Sequence, residues 1–293
     1  MNTEEKNIKQ LAKLLDKHSY QDGMQETLVK NFYTFRIDEP VKRCHNVYEP
    51  CIVVTAQGEK YCYSGDNEYY YGEGNFLTLF LPMPIETEII KASPEEPYLA
   101  AIISIDLGRI ADLLLKIDRI DKTPADPVQT DYSGIFSAPV KNDLLDPVIR
   151  LLQTLNDPKD AAILGDTIID EIYYRMLSGE RGSAIRTLLQ HRGHISRISS
   201  AVDYIHSNLK EPVSIETLAD LVNMSTSGFH KIFKEVMHLS PLQYAKSVKL
   251  FRAQTLIREG KNASEAGFLV GYNSPAQFSR EYKRHFGYAP SVT

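Results

Sequence analysis

The last 80 residues of this chain contain a half-hidden duplication, which limits what they can fold into more than any other feature. The first copy reads Ala219-Asp220-Leu221-Val222, Met224-Ser225, Phe229 and Phe233-Lys234. The second reads Gly267-Phe268-Leu269-Val270, Tyr272-Asn273-Ser274, Phe278 and Tyr282-Lys283. In each copy a small residue three positions before Val opens the unit, a Ser follows a short turn, and two aromatics four apart close it. The second copy carries one extra residue in its turn. A small residue at a helix crossing, a tight turn and a short amphipathic helix spell a helix-turn-helix. Two such units in tandem suggest a chain that sets two helices into DNA.

Local signals agree. Ser214 and Ser225 stand where N-caps are needed. Asn262 with Glu265 forms a capping box, and Ser274-Pro275-Ala276-Gln277 offers a cap, a first-turn Pro and a Gln three after the cap. Between the units Ser240-Pro241 opens a longer helix, from Leu242 to Arg258, whose apolar positions fit a single helical stripe only loosely. In the first recognition helix Phe229, Ile232, Phe233 and Val236 share one face, leaving Ser227, His230, Lys231 and Lys234 on the other.

The run Ser214 to Thr293 resembles the DNA-binding domain of the AraC/XylS family of bacterial transcription regulators. The resemblance rests on Leu218 to Ser225, Leu239 to Tyr244, Val270-Gly271-Tyr272, Phe278 to Lys283, Phe286-Gly287 and Ala289-Pro290. Gly267 departs from the family's usual Ala and Ala289 from its usual Thr. Both look tolerable, Gly in a helix costing about 1 kcal/mol against Ala.

The formal net charge of −5 alone argues against nucleic acid, but its distribution reverses that. From His194 to Thr293 there are 12 Lys/Arg against 8 Asp/Glu, a balance of +4, while the remainder has 21 against 30, a balance of −9. A basic module fused to an acidic one suits a DNA reader with a separate sensor. The excess is modest, which favours paired sites over strong non-specific attraction. No apolar run is long enough to span a membrane. Met1 to Leu15 lacks the apolar core of a secretory signal. Cys44, Cys51 and Cys62 make no even set and no CxxC pair, so a reduced cytoplasm is expected.

Ile8 to Lys17 has helical spacing. From about Val29 to Ile105 short apolar runs alternate with turn residues, the pattern of a β-sandwich or barrel. Helical text resumes at Leu107 to Ile117, Leu144 to Leu155 and Ala161 to Leu177. Asp121 to Pro139 reads as a long surface loop. Tyr48-Glu49-Pro50, Gln57-Gly58, Tyr71-Gly72-Glu73-Gly74 and Ala92 to Leu99 resemble the cupin-like N-terminal sensor domain of AraC-type regulators. That resemblance implies a jelly-roll-like barrel, at residues 25–106, that holds a small effector, followed by helices, at 107–178, that serve dimerisation. The expected fold class is α+β: a cupin-like effector-binding and dimerisation domain at 1–178, a linker at 179–193, and an all-α domain of two helix-turn-helix units at 194–293.

A cupin barrel acting as an enzyme holds a metal through two or three His and a carboxylate. The only His between Gln21 and Gln190 is His45, which reads as a surface or loop residue, so neither a metal site nor a Ser/His/Asp centre is expected. No nucleotide-binding glycine motif occurs, and no catalytic residue or cofactor is assigned. Tyr61 and Tyr63 fall on one side of a strand and Cys62 on the other. Of Tyr69, Tyr70 and Tyr71, either the outer two or the middle one points inward. If Gln57-Gly58 is a hairpin tip, Cys62 faces Val53 and Cys51 lies diagonal to it, about 7–8 Å away. Tyr61, Tyr63, Cys51 and Cys62 are therefore the candidate effector residues, with reactive thiols set against small buried hydrophobes.

The DNA candidates are Ser227, His230, Lys231 and Lys234 in the first unit and Ala276, Gln277, Arg280 and Arg284 in the second. Arg pairs bidentately with guanine and Gln with adenine in the major groove. For Arg280 the competing reading is a salt bridge to Glu281 or Glu265. The chain thus reads as a cytoplasmic transcription regulator whose partners are double-stranded DNA, a small effector and a second copy of itself, with RNA polymerase a further candidate. The rivals are a cupin-type enzyme fused to a DNA-binding tail and an architectural DNA protein with an inert front domain.

Overall fold

The computed structural model describes residues 3–120, 133–179, 182, 186 and 194–293. Helix α1 (Thr3–His18) precedes nine strands: β1 (Gly23–Glu26), β2 (Phe32–Ile37), β3 (Val41–Tyr48), β4 (Cys51–Gln57), β5 (Glu59–Ser64), β6 (Asn67–Tyr70), β7 (Asn75–Leu79), β8 (Met83–Lys91) and β9 (Tyr98–Ser104). Helix α2 (Leu107–Ile120), strand β10 (Ile135–Pro139), α3 (Asn142–Thr154) and α4 (Pro158–Ser178) complete this part. The expected cupin-like barrel takes the form of two antiparallel sheets, ordered β1-β2-β9-β4-β7-β10 and β3-β8-β5-β6. Strand β4 is buried along nearly its whole length, since α1 lies over β4 and β9 while the other face looks into the sandwich. Leu11 and Leu15 of α1 supply that contact. In β5 the alternation is clean: Lys60, Cys62 and Ser64 are buried, and Glu59, Tyr61 and Tyr63 are not. Tyr71 is buried and Tyr70 exposed, in keeping with the outer pair of that triplet facing in.

Two expectations need correction. Gln57-Gly58 is not a hairpin tip, because β4 pairs with β7 and β9 while β5 pairs with β6 and β8. Gly58, at φ +84°, turns the chain from one sheet to the other, and a Cβ there would sit 2.7 Å from the Lys91 carbonyl oxygen. Cys62 therefore pairs with Tyr69 and Thr87 rather than facing Val53. The expected loop from Asp121 to Pro139 lies partly outside the described residues, but its end forms β10, an edge strand along β7. Ile135 is wholly buried there, and Pro139 closes an edge strand, where a missing N–H costs least.

The C-terminal helices are α5 (His194–Ser207), α6 (Ile215–Leu221), α7 (Thr226–Met237), α8 (Pro241–Arg258), α9 (Ala263–Leu269) and α10 (Pro275–Phe286), ending in a short 3₁₀ turn. Helices α6 and α7 form the first helix-turn-helix; α9 and α10 form the second. Their cores are separate. Phe229, Phe233, Leu218 and Ala219 belong to the same buried cluster as the sandwich, whereas Leu250, Ala253, Leu256, Ala266, Phe278 and Tyr282 form their own. Helix α8 joins both, giving Tyr244, Ala245 and Val248 to the first and Leu250, Ala253 and Leu256 to the second. That is why its apolar residues trace no single stripe: each half of the helix serves a different core.

Gly267 is more tightly constrained than its replacement of the usual Ala suggests. A Cβ on it would lie 2.9 Å from Phe278 Cγ, at the root of the ring. Gly267→Ala should gain about 1 kcal/mol of helix propensity and lose about 1–3 kcal/mol to overpacking. A net loss of stability in urea denaturation is expected; a net gain would mean that Phe278 yields freely.

Candidate nucleic-acid interface

Each recognition helix starts at a capped end after a constrained turn. In the first unit Asn223 takes φ 54°, and the Met224 N–H returns to the Ala219 carbonyl at 2.9 Å. In the second, Gly271 takes φ +89°, and a Cβ there would meet the Lys210 carbonyl oxygen at 2.5 Å. Ser225 Oγ accepts the Gly228 N–H, and Ser274 Oγ accepts the Gln277 N–H. The full capping boxes are at Ser240 with Gln243 and at Asn262 with Glu265. Gln277 does not reach back to its cap; its Nε2 donates to Glu281 at 3.2 Å.

Phe229 and Phe233 in α7, and Phe278 and Tyr282 in α10, fix the inner faces. Ser227, Lys231 and Lys234 are exposed and His230 is half-buried; Ala276, Gln277, Arg280 and Arg284 are exposed. Lys231 lies 3.9 Å from Glu235 on its own helix. Arg280 has no ion pair among the described residues. The carboxylate expected to compete for it, Glu281, is engaged instead by the Tyr272 hydroxyl at 3.0 Å, by Gln277 and by Lys246 at 3.6 Å. Burial would raise the Glu281 carboxyl, but these hydrogen bonds and the Lys246 and Arg284 cations hold it below the usual range. Arg284 continues the Ala276–Arg280 stripe to the helix end, where it also lines clefts facing β3. Both helices present their positive ends with this exposed face, a favourable arrangement for phosphate.

The N-terminal domain grips the two units unequally. Tyr244 of α8 is wholly buried; its hydroxyl donates to the Pro82 carbonyl at 2.9 Å and lies 2.9 Å from His206 Nε2 of α5. His238, in the left-handed conformation at the end of α7, meets Tyr69 Oη at 3.1 Å and Ser133 Oγ at 2.8 Å, and the Gly134 N–H donates to the Val236 carbonyl. The second unit touches the sandwich through His285. Its ring stacks on His45 of β3 at 4.3 Å, with Phe251 and Phe286 edge-on to both. Beside this contact runs a cleft of about 810 Å³ lined by Arg43, Arg252, Arg258 and Arg284 among others. His45 is thus a half-buried strand residue at a domain contact, not the surface or loop histidine expected.

The four effector candidates do not converge. Cys51 and Cys62 lie inside the sandwich on different sheets, while Tyr61 and Tyr63 stack on the other face of β5 with Arg43 3.8 Å over Tyr63. Burial pushes both buried thiols up to about 12, so they are protonated at neutral pH and poor nucleophiles. Lys60, missed in the sequence, precedes Tyr61 in β5 and points inward on the same face as Cys62 and Ser64. Its strand phase, the same as that of Cys62, was the available signal. Among the described residues no three His, Cys, Asp or Glu groups stand close enough to hold a metal, and no helix is long and apolar enough to cross a membrane.

Residues 28–184 match the family described as AraC-type transcriptional regulator N-terminus, and residues 218–293 match a helix-turn-helix domain. The lactose operon transcription activator of Staphylococcus xylosus is 23% identical over 246 residues, covering 83% of this chain and 82% of that protein. Among solved structures, a variant of apo ToxT from Vibrio cholerae superposes with a TM-score of 0.54 at 8% identity, covering 93% of this chain and 98% of that one. Wild-type ToxT bound to an unsaturated fatty acid gives 0.52 at 10% identity, over 92% and 96% of the two chains. The last two similarities are of fold.

The His45–His285 contact contains a titratable ring held in its neutral form. Burial, then the neighbouring His45 and Lys246, depress His285 from 6.5 to about 4. Glu86, 3.6 Å from His45, and the cations Arg43, Lys246 and Arg284 face the same pocket. A depressed histidine stabilises the fold only while neutral, so its contribution is full above 6.5 and falls as pH drops toward 4. His285→Phe keeps a ring there without the titration. Its thermal midpoint should therefore fall less steeply than the wild type's over that range; parallel profiles would show that the contact bears no load.

Proposed function

The chain belongs to the AraC-type transcriptional regulators, a DNA-binding family, and from that premise we propose that each subunit reads two major-groove segments through α7 and α10. The observation that carries this reading is α8. At 18 residues it is one continuous spacer, about 27 Å at 1.5 Å per residue, seated in the cores of both units. Successive major grooves on one face of a duplex lie about 34 Å apart. The shortfall is met by the reach of the recognition helices and by bending the DNA at a few kcal/mol.

Ser227, His230, Lys231 and Lys234, with Ala276, Gln277, Arg280 and Arg284, are the proposed DNA contacts. The exposure of all but the half-buried His230 on the two outward faces supports this. Domain boundaries at 178 and 194 and residence in the cytoplasm belong to the same reading. A second copy of the chain would join through the helical segment 107–178, where Ile163, Leu164 and Tyr174 of α4 and Leu115 of α2 are exposed. RNA polymerase is the partner such a regulator would meet at a promoter. A small effector held by the N-terminal domain would bias how the second unit is held, provided it binds one arrangement better than the other. The fatty acid bound to ToxT, a protein of this fold, supports a ligand-dependent reading. The cupin-enzyme alternative finds no support in the site or in the relatives.

Arg280→Ala should cost about 1–3 kcal/mol of specific binding, the worth of one good bidentate base contact. Lys234→Ala should weaken specific and random DNA more evenly and flatten the salt dependence. Fluorescence anisotropy on both duplexes separates the two roles. Equal losses on both duplexes for Arg280→Ala would make it a phosphate contact.

A further inference from the structure

Lys60 is the second residue of β5 and points into the sandwich, where it is 5% exposed. Its ammonium donates one hydrogen bond, to Tyr48 Oη at 2.8 Å. No carboxylate pairs with it among the described residues. Three further rings surround it, Phe35 at 4.7 Å, Tyr98 at 5.4 Å and Tyr71 at 5.7 Å, while Tyr48 meets it through its hydroxyl. These come from both sheets, so the group sits in the middle of the sandwich's interior.

Among the described residues no interior group can serve as its counter-ion. Burial pushes the Tyr71 and Tyr98 phenols well above their ordinary value and the Cys51 and Cys62 thiols up to about 12. All four are neutral acids at physiological pH. Ring faces attract a cation and offset part of the cost of burying it. They leave the remaining N–H donors of the ammonium without acceptors. A buried charge is normally paired, and an apolar residue would fill the same place without the penalty. Tyr71 and Tyr98 are wholly buried, whereas Phe35 and Tyr48 are half-buried, so the cage lies nearest solvent on their side.

We propose that Lys60 anchors a small carboxylic acid, whose carboxylate takes the free donors of the ammonium and whose apolar body lies against Phe35 and Tyr48. This rests on the reading of the N-terminal domain as the effector domain and supplies the chemical class of its ligand. It also supplies a route to the DNA reader. Tyr48 ends β3, three residues after His45, the residue on which the second helix-turn-helix rests. A ligand that re-seats Tyr48 acts on the same strand that holds His285.

The test is differential scanning fluorimetry of the full chain at constant ionic strength. The ligands are sodium benzoate and sodium hexanoate, each beside its neutral amide, and the proteins are wild type, Lys60→Met and Tyr48→Phe. At least one acid should raise the wild-type midpoint by about 2 °C or more beyond its amide. Lys60→Met should erase that difference, Tyr48→Phe should reduce it, and ligand-free Lys60→Met should be no less stable than the wild type. Two results overturn the proposal: acids and amides that act alike on the wild type, or a ligand-free Lys60→Met that melts several degrees lower, which would make Lys60 a structural strut. If both acid and amide stabilise all three proteins equally, the effector domain stands and only the carboxylate anchor falls.

Discussion

The arrangement of the whole molecule depends on one buried phenol. Tyr244 sits in the first turn of α8, and its hydroxyl bridges the Pro82 carbonyl of the sandwich and His206 of α5. Its ring packs edge-on against Phe233 of the first recognition helix. A phenol with no water access needs both partners in place. Three elements far apart in sequence are therefore fixed at one atom. The first helix-turn-helix consequently shares its core with the sandwich and is oriented by it, with His238 and Val236 adding a second point of attachment at the end of α7.

The second unit is a different mechanical object. Its core is its own, it joins the first through α8 and the close approach of Gly271 to Lys210, and its contact with the sandwich is a stack of aromatic rings flanked by arginine-lined clefts. That contact includes a titratable ring, His285, which burial keeps neutral near physiological pH. In the proposed reading, an effector would act on the freedom of α10 while α7 keeps its place. A DNA-binding unit that must be paired to bind well can be controlled by holding or releasing only one member of the pair.

Much of this was legible in the sequence. The duplicated Ala219 and Gly267 units, the caps at Ser214, Ser225 and Asn262, and the joining helix are local features, and local chemistry specifies them. So is the strand text from Val29 to Ile105. What escaped depended on partners distant in the chain. The Gln57-Gly58 dipeptide has hairpin chemistry, but the apolar residues of β4 find better partners in β7 and β9, so the turn becomes a sheet-to-sheet crossing. Pro139 argued for a loop, yet an edge strand tolerates it. His45 carries no signal of its stack on His285, a residue 240 positions away in the chain. Lys60 could have been placed inward from the phase of Cys62, but its ring cage draws on residues from Phe35 to Tyr98. The loose apolar pattern of α8, which fitted a single stripe poorly, is the signature of one helix serving two cores.

The central claim is that one subunit presents two recognition helices to one face of the duplex, at a spacing set by α8. Hydroxyl-radical footprinting of the full chain on an operator tests it directly. The expected pattern is two protected segments per subunit on the same face, about 34 Å or one helical turn apart. A single protected segment per subunit, or two on opposite faces of the duplex, would contradict it.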